Sequence, residues 1–335
     1  MGFASDDDIT VPNGLLSTMT SSDNITWTGT YTPTAGIEDD SNVLTLATSY
    51  TDTVGNAGPS ATTANFTIDT AAPTVNAIET TAFSWGSVLN ATEDNSDGTV
   101  SVTTSGLEDG QTLTITLNGA TYTNTVSSNA STVTISAAWL QALTNWSSYT
   151  LTADVSDTAG NAATQVTSSS FSVETTAPTI SEVLLAADNS TLTVTMSEAV
   201  YNTNGGSGSI EMSDFALSIS GGVASINTTP STISSSCNEY TLGLTISGTP
   251  NGSETLTVVP SSSSAIYDLA GNVASTTKSN NTVSLNDTSP PTLSNVSIVS
   301  NNTTNTLAKA GDEITLTFTA SETINEPVVT FQSGS

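Results

Sequence analysis

The sequence predicts an all-β protein built as a string of small β-sandwich domains. Three observations support this: an internal repeat about one domain long, alternation of apolar and polar residues, and a composition rich in Thr, Ser, Asn and Gly. Thr and Val favour strands with one solvent-exposed face, whereas Asn, Gly and Asp favour tight turns. Hydrophobic residues make up 36% of the 335 residues, which suits several small cores better than one large core.

The repeat is marked by the motif Asp-x-x-Gly-Asn. Its three copies are residues 52–56, 157–161 and 268–272. Each copy is followed by a strand-like run and then by an acid, a Thr and a proline, within 69–73, 174–178 and 287–291. Successive motifs begin 105 and 111 residues apart, and this period is the length of a domain rather than of a solenoid repeat.

These junctions predict four domains. Residues 71–175 and 176–288 form two whole domains, residues 1–70 a partial domain without its opening strands, and residues 289–335 a partial domain without its closing strands. We therefore expect a piece of a longer exported protein, with the export signal and the anchor outside this chain.

Period-two alternation places the strands. In 112–117, Leu113, Ile115 and Leu117 share one face, and 191–196, 254–259 and 313–318 alternate in the same way. In the second domain we expect strands near 99–104, 111–118 and 148–155, and one helical turn near 137–143.

The adjacent sequence predicts which of the four tryptophans are buried, and whether the one cysteine is. Trp27, Trp139 and Trp146 alternate with polar residues and are predicted to fill cores, whereas Trp85 is the candidate for an exposed, sugar-binding aromatic. Cys237, the only cysteine, is predicted to be a buried or half-buried strand residue.

The charge balance excludes several functions. There are 31 acids against two bases, Lys278 and Lys309, and no histidine, for a net charge of -29. Such a surface repels phosphate backbones and anionic lipids and attracts cations, so we expect no nucleic-acid partner and no direct membrane insertion. Without histidine a serine nucleophile lacks its usual general base, and the sequence predicts no enzyme.

The motifs resemble those of a known family. The Asp-Thr-Ala-Gly-Asn turn at 157–161, the strand Ser170–Val173 and the Glu-Thr-Thr-Ala-Pro junction at 174–178 are similar to tandem bacterial immunoglobulin-like (Big-type) domains of giant surface adhesins and related exported proteins. Residues 192–200 and 266–272 are similar to a related subtype of such domains, and residues 310–322 resemble the opening half of another one. The resemblance implies immunoglobulin-like sandwiches in a beads-on-a-string rod, located at the cell surface, with neighbouring domains or adjacent subunits as partners.

The topology of such a sandwich predicts metal sites at the junctions, because the linker, an upper loop and the last turn meet at one end of each domain. The acids so placed are Asp69, Glu108, Asp109 and Asp157 at the first junction, Glu174, Glu198 and Asp268 at the second, and Asp287 and Glu322 at the third. Calcium takes six to eight oxygen ligands and would reverse the repulsion among these carboxylates. We predict Ca²⁺ as the cofactor that stiffens the rod. The alternative for the motif aspartates is turn capping, with or without metal.

Three functions remain open at this point. The first is an extender segment of a large adhesin. The second is a subunit of a surface layer (S-layer) or extracellular filament, joined end to end by strand complementation between the two partial domains. The third is a glycan-binding adhesin module, which requires an exposed aromatic platform.

Overall fold

The computed structural model describes residues 8–276, 280–330 and 332 of the chain. This described part is mostly strand, with helix confined to a few short turns, which confirms the predicted all-β class. In it, no helix is both long enough and apolar enough to cross a lipid bilayer. The chain divides into two compact units, one up to Thr176 and one from Ala177 onward. The finer division into four domains stays a prediction.

The first unit begins with short strands paired in small antiparallel sheets, in the orders β1-β5-β6, β2-β3 and β4-β7. The strands are β1 Ile9–Thr10, β2 Gly14–Leu16, β3 Tyr31–Pro33, β4 Glu38–Asn42, β5 Thr45–Leu46, β6 Ala61–Thr62 and β7 Phe66–Asp69. Ile9, Leu16, Met19 and Leu46 line an open apolar cleft of about 480 Å³ together with Trp27. Trp27 is therefore half-buried at the wall of a cleft rather than enclosed in a core.

The rest of the first unit is a sandwich with sheet orders β13-β10-β8, β12-β11-β15-β16 and β14-β17-β9. Its elements are β8 Thr74–Val75, β9 Val88–Leu89, β10 Gly98–Ser105, β11 Thr112–Leu117, β12 Ala120–Thr125, β13 Ala130–Ile135, α1 Ala137–Leu140, β14 Ser148–Tyr149, β15 Leu151–Asp154, β16 Val166–Thr167 and β17 Phe171–Val173. The predicted strands lie within one residue of the observed ones, except that the strand at 148–155 is broken at Thr150.

The alternating strands build the core of this sandwich. Leu113, Ile115 and Leu117 of β11 are all buried, as their period predicts, while the threonines between them face outward. Trp85 lies in the same core, with its ring stacked on Phe83 at a centroid distance of 5.3 Å.

The predicted roles of three tryptophans are wrong. Trp85, the candidate for exposure, is 4% exposed, whereas Trp139 and Trp146, predicted in cores, are 53% and 69% exposed. A β-bridge between Phe83 and Val100 ties the segment before Trp85 to β10 and turns its ring inward. In α1 the inward position belongs to Leu140, so Trp139 points outward. Trp146 sits in a turn with a positive φ of 60°, outside any strand.

The second unit contains a sandwich with sheet orders β18-β19-β23-β22, β20-β25-β26 and β21-β24. Its strands are β18 Ile180–Leu185, β19 Thr191–Met196, β20 Phe215–Ser220, β21 Ser225–Ile226, β22 Ile233–Ser236, β23 Glu239–Gly243, β24 Ile246–Ser247, β25 Thr255–Pro260 and β26 Thr282–Ser284. Leu192, Val194 and Met196 alternate into its core, where they meet Phe215 of the facing sheet.

The predicted burial of Cys237 is wrong. Ser236 pairs with Glu239, which leaves Cys237 in a two-residue loop at the tip of the β22–β23 hairpin. The first position of such a loop takes a positive φ, and Cys237 has a φ of 54°, so its side chain is exposed on the surface.

The second unit continues into an antiparallel hairpin of β27 Leu293–Ser300 and β28 Ile314–Ala320. Its apolar side chains are largely uncovered: Leu293 is 56% exposed, Ile298 55% and Ile314 52%. Of the two bases, Lys309 is an exposed residue of the connection between these strands, and Lys278 lies outside the described residues.

Candidate cation-binding junctions

The three Asp-x-x-Gly-Asn segments form the same turn. In each, one carboxylate oxygen of the Asp accepts the backbone N–H of the Asn, and the other accepts its side-chain amide. These pairs of distances are 2.8 and 2.8 Å for Asp52 with Asn56, 2.7 and 2.8 Å for Asp157 with Asn161, and 2.8 and 2.9 Å for Asp268 with Asn272. The glycine before each Asn has a φ between 94° and 97°, which explains the residue at that position.

These hydrogen bonds favour the charged carboxylate. The side-chain amide of Asn56 is the main cause that lowers the pKa of Asp52 below its ordinary value. Burial alone would raise the pKa of Asp157, but the hydrogen bonds from Asn161, Gly160 and Ala159 together outweigh burial, so the pKa of Asp157 is also lowered. The three aspartates therefore cap their own turns, and in Asp52 and Asp157 the hydrogen bonds favour the charged form.

At the first junction the structure brings three of the four predicted acids to one place. The side-chain amide of Asn161 bridges two of them, since it lies 2.8 Å from Oδ2 of Asp157 and 3.3 Å from Oδ1 of Asp69. Oε2 of Glu108 accepts the N–H of Thr158 in the same turn at 3.3 Å. Asn161 is a residue that sequence reasoning missed as a link between the junction acids.

Asp69 and Glu108 also line a small cleft of about 250 Å³ in the first unit, together with Glu38. Glu38 was not among the predicted site residues. It reaches the cleft because β4 and β7 are antiparallel and Glu38 pairs directly with Asp69. The signal that could have found it is this strand pairing, which the short, polar sequence of β4 does not reveal.

Asp109 stands apart from this group. Its Oδ1 accepts the backbone N–H of Ser128 at 2.6 Å, and the residue is not among those that line the cleft. Its neighbour Glu108 instead accepts a hydrogen bond from Thr158, in the turn at 157–161.

The acids predicted at the second junction fall into different units. Glu174 belongs to the first unit, where it is buried and its Oε1 accepts the N–H of Thr176 at 2.8 Å. Glu198 and Asp268 belong to the second unit, where they are close enough for the charge of Asp268 to act on Glu198. Burial, and then the charge of Asp268, raises the pKa of Glu198.

Asp287 and Glu322, predicted at the third junction, are in contact within the second unit. The Ser289 hydroxyl, at 2.7 Å, and its N–H, at 2.8 Å, both donate to Oδ1 of Asp287 and lower its pKa. Burial, the charge of Asp287 and a hydrogen bond to it raise the pKa of Glu322. Two predicted pairs thus consist of carboxyl groups that interact with each other.

The carboxylates do not form a preassembled metal cage. Among residues 8–276, 280–330 and 332, no group of three or more Asp, Glu or Cys side chains is arranged closely enough to hold a metal ion. Each junction supplies a pair or a loose cluster of carboxylates, so a bound cation would take its remaining ligands from water and backbone oxygens.

Comparison with known proteins identifies the family. Residues 1–69 match the family model of a bacterial Ig-like domain, Big_12. A bacterial immunoglobulin-like domain from the M. primoryensis ice-binding adhesin is 33% identical to the chain, over 94% of that domain and 30% of this chain, with a TM-score of 0.23. The chain belongs to the bacterial immunoglobulin-like domain family.

Two longer structures are similar to most of the length of the chain. One is a Ca²⁺-stabilized adhesin that helps an Antarctic bacterium reach out and bind ice, with 21% identity over 88% of this chain and 67% of that one and a TM-score of 0.39. The other is a tetra-tandem repeat from the extending region of a large adhesion protein, with 18% identity over 93% and 81% and a TM-score of 0.28. No curated protein matches this bacterial Ig-like chain.

Proposed function

We propose that this bacterial Ig-like chain is a structural extender segment of a large extracellular adhesin, a rod of domains whose junctions are stiffened by Ca²⁺. The observation that carries the proposal is that carboxyl groups in the described part of the chain interact with one another. The charge of Asp268 acts on Glu198, Asp287 is hydrogen-bonded to Glu322, and Asp69 shares a cleft with Glu38 and Glu108.

A cation changes the sign of each of these interactions. Without it, neighbouring carboxylates repel. Burial, and then this repulsion, raises the pKa values of Glu198 and Glu322. With it, two carboxylates become ligands of one hard ion that accepts flexible oxygen geometry. Since the junction acids lie on separate loops, the ion would join those loops and restrict the motion between them.

The proposed ligands differ between junctions. At the first they are Glu38, Asp69 and Glu108, with Asp157 behind Asn161. At the second they are Glu198 and Asp268, and at the third they are Asp287 and Glu322. Because the sites are not preassembled, we expect weak binding, with a Kd on the order of 0.1–1 mM, as in other extracellular calcium modules.

The test combines thermal unfolding with small-angle X-ray scattering, in Ca²⁺ and in chelator, on the whole chain. Ca²⁺ is expected to raise Tm and lengthen the particle. The double variant Asp69→Asn/Glu108→Gln should lose part of both effects. Asp109→Asn is the matched control, since Asp109 contacts Ser128 instead of the cleft and its replacement keeps an acceptor oxygen. Equal responses of all three proteins to Ca²⁺ would reject the first-junction site.

The filament alternative stays a prediction, and one feature favours it. The β27–β28 hairpin exposes apolar side chains, and the first unit has an open apolar cleft, so the two surfaces suit strand complementation between copies. Sedimentation of the same samples separates the two functions. A monomer at all concentrations supports the extender, and concentration-dependent growth supports the filament.

A further inference from the structure

The connection between β13 and β14, residues 136–147, places two of the four tryptophans of the chain in solvent. Trp139 and Trp146 are 53% and 69% exposed, whereas Trp85 is buried in the core and Trp27 is half-buried. Tryptophan is among the side chains most enriched at binding hot spots.

This connection is held firmly. Leu140 and Leu143 anchor it in the core of the sandwich, where they are 1% and 8% exposed. At its start, Oδ1 of Asp97 accepts the N–H of Ala137 at 2.9 Å, and the Gln141 side-chain amide donates to Oδ1 of Asn95 at 2.9 Å. The two indoles are therefore presented by a fixed support, which reduces the entropy lost on binding.

Its far end is fixed by Asn145. The side chain of Asn145 accepts the N–H of Thr175 at 3.0 Å and donates to the hydroxyl of Thr176 at 2.6 Å. The backbone N–H of Trp146 donates to Val173 O at 2.8 Å. These bonds hold Trp146 at a φ of 60°, a conformation that bulky residues rarely adopt and that Asn or Gly adopts easily.

Packing therefore does not explain Trp146. Its ring is mostly in water, and its backbone is in a conformation that its side chain disfavours. Residues held against their own preference are concentrated at functional sites. The ring of Tyr122 meets the Trp139 indole edge-on at 6.4 Å, and the indole keeps more than half of its surface exposed for another contact.

The surroundings of the two indoles indicate the kind of partner. The exposed side chains of the same surface segment and of its supports are amide, hydroxyl and carboxylate groups, from Gln141, Thr144, Asn95 and Asp97. A protein-docking surface has an apolar centre depleted of charge, and this pattern is not present here. Isolated aromatic faces among amides and carboxylates suit a sugar, since its C–H groups pack on the negative face of an indole and its hydroxyls bind the polar groups.

The charge of the chain narrows the sugar class. With 31 acids and two bases, the surface repels uronic and sialic acids. We propose that the 136–147 connection is a binding site for neutral oligosaccharides, with Trp146 and Trp139 as the stacking residues.

The experiment uses the whole chain in chelator, which makes it independent of any Ca²⁺ site. Dextran, laminarin and mannan are the neutral probes and polygalacturonate is the anionic one, with tryptophan fluorescence and titration calorimetry as readouts. At least one neutral polymer is expected to bind saturably, and polygalacturonate is not. Trp146→Ala and Trp139→Ala should each weaken binding by about tenfold or more. Leu184→Ala, which removes a side chain that is 66% exposed in the second unit, is the matched control and should bind as the parent does.

A further variant separates binding from folding. Trp146→Asn suits the positive φ, so it should keep or raise Tm while binding is lost. The proposal is overturned if none of the three neutral polymers binds, if the tryptophan variants bind like the parent, or if Trp146→Asn lowers Tm and so reveals a packing role.

Discussion

For several residues of this chain, the charge state or the permitted side chain is set by the groups in contact with them. Glu254 is fully buried, yet its two oxygens accept the N–H groups of Val223 and Ala224 at 2.9 and 3.1 Å and that of Asn251 at 3.0 Å. Burial raises the pKa of Glu254, but these hydrogen bonds outweigh it and hold the pKa below its ordinary value. A buried acid is thus kept charged by backbone donors alone.

Gly98 is another residue whose role is set by its contacts. A Cβ built there would lie 2.6 Å from Cζ3 of Trp85 and 2.9 Å from Cδ1 of Leu140. We predict that Gly98→Ala destabilises the first unit by about 1–3 kcal/mol, because both side chains must move in a packed core. Chemical denaturation followed by tryptophan fluorescence measures this change. Ser101→Ala, on the exposed face of the same strand, should change the free energy of unfolding by less than about 0.5 kcal/mol. An unchanged denaturation midpoint for Gly98→Ala would show that the core accommodates the added methyl group, contrary to the prediction.

At the scale of elements, the three Asp-x-x-Gly-Asn turns have the same hydrogen bonds in different environments. Asp268 and Asn272 are each 1% exposed, whereas the turn of Asp52 and Asn56 is on the surface. Removing the carboxylate leaves its N–H donors without an acceptor in both turns. Water can accept these hydrogen bonds in the exposed turn but not in the buried one.

We therefore predict unequal costs for the same substitution in two copies of one motif. Asp268→Ala should lower the free energy of unfolding by about 1–3 kcal/mol, since buried N–H groups lose their acceptor. Asp52→Ala should cost clearly less because water replaces the acceptor. Denaturant unfolding of both variants at neutral pH gives the comparison. Equal losses would mean that the turn acts through local geometry rather than through burial.

At the scale of the whole molecule, the structure could be predicted where it depends on short sequence patterns that recur along the chain. The motif spacing, the alternation in β11 and the turn glycines are short-range patterns, and from them follow the all-β fold, the strands and the turn caps. The exposure of Trp139, Trp146 and Cys237 was mispredicted because it depends on which residue of a short helix turns inward and on positive φ values in loops. Glu38 was missed because a pairing between two short, polar strands brings it to the cleft.

The junction acids make the stability of the whole molecule depend on pH. Burial and a neighbouring carboxylate raise the pKa values of both Glu198 and Glu322. A folded-state pKa above the unfolded one means that the fold binds the proton more tightly. In chelator, these two groups thus contribute stability that is present below the unfolded-state pKa and is lost as the pH rises through the raised folded values. With Ca²⁺ at these pairs, a proton must displace the ion, so the gain from Ca²⁺ should shrink as the pH falls through the same range.

The measurement is the difference between Tm in Ca²⁺ and Tm in chelator, taken stepwise from about pH 7 down to about pH 4, near the ordinary pKa of a glutamate. The difference should be largest at neutral pH and fall toward zero in acid. Asp287→Asn/Glu322→Gln should reduce it already at neutral pH, because the pair at the third junction can no longer hold the ion. Glu182→Gln, an exposed glutamate of β18, serves as the control and should leave the curve in place. If the difference does not depend on pH, Ca²⁺ acts through general screening of the acidic surface, and the paired carboxyl groups are not its ligands.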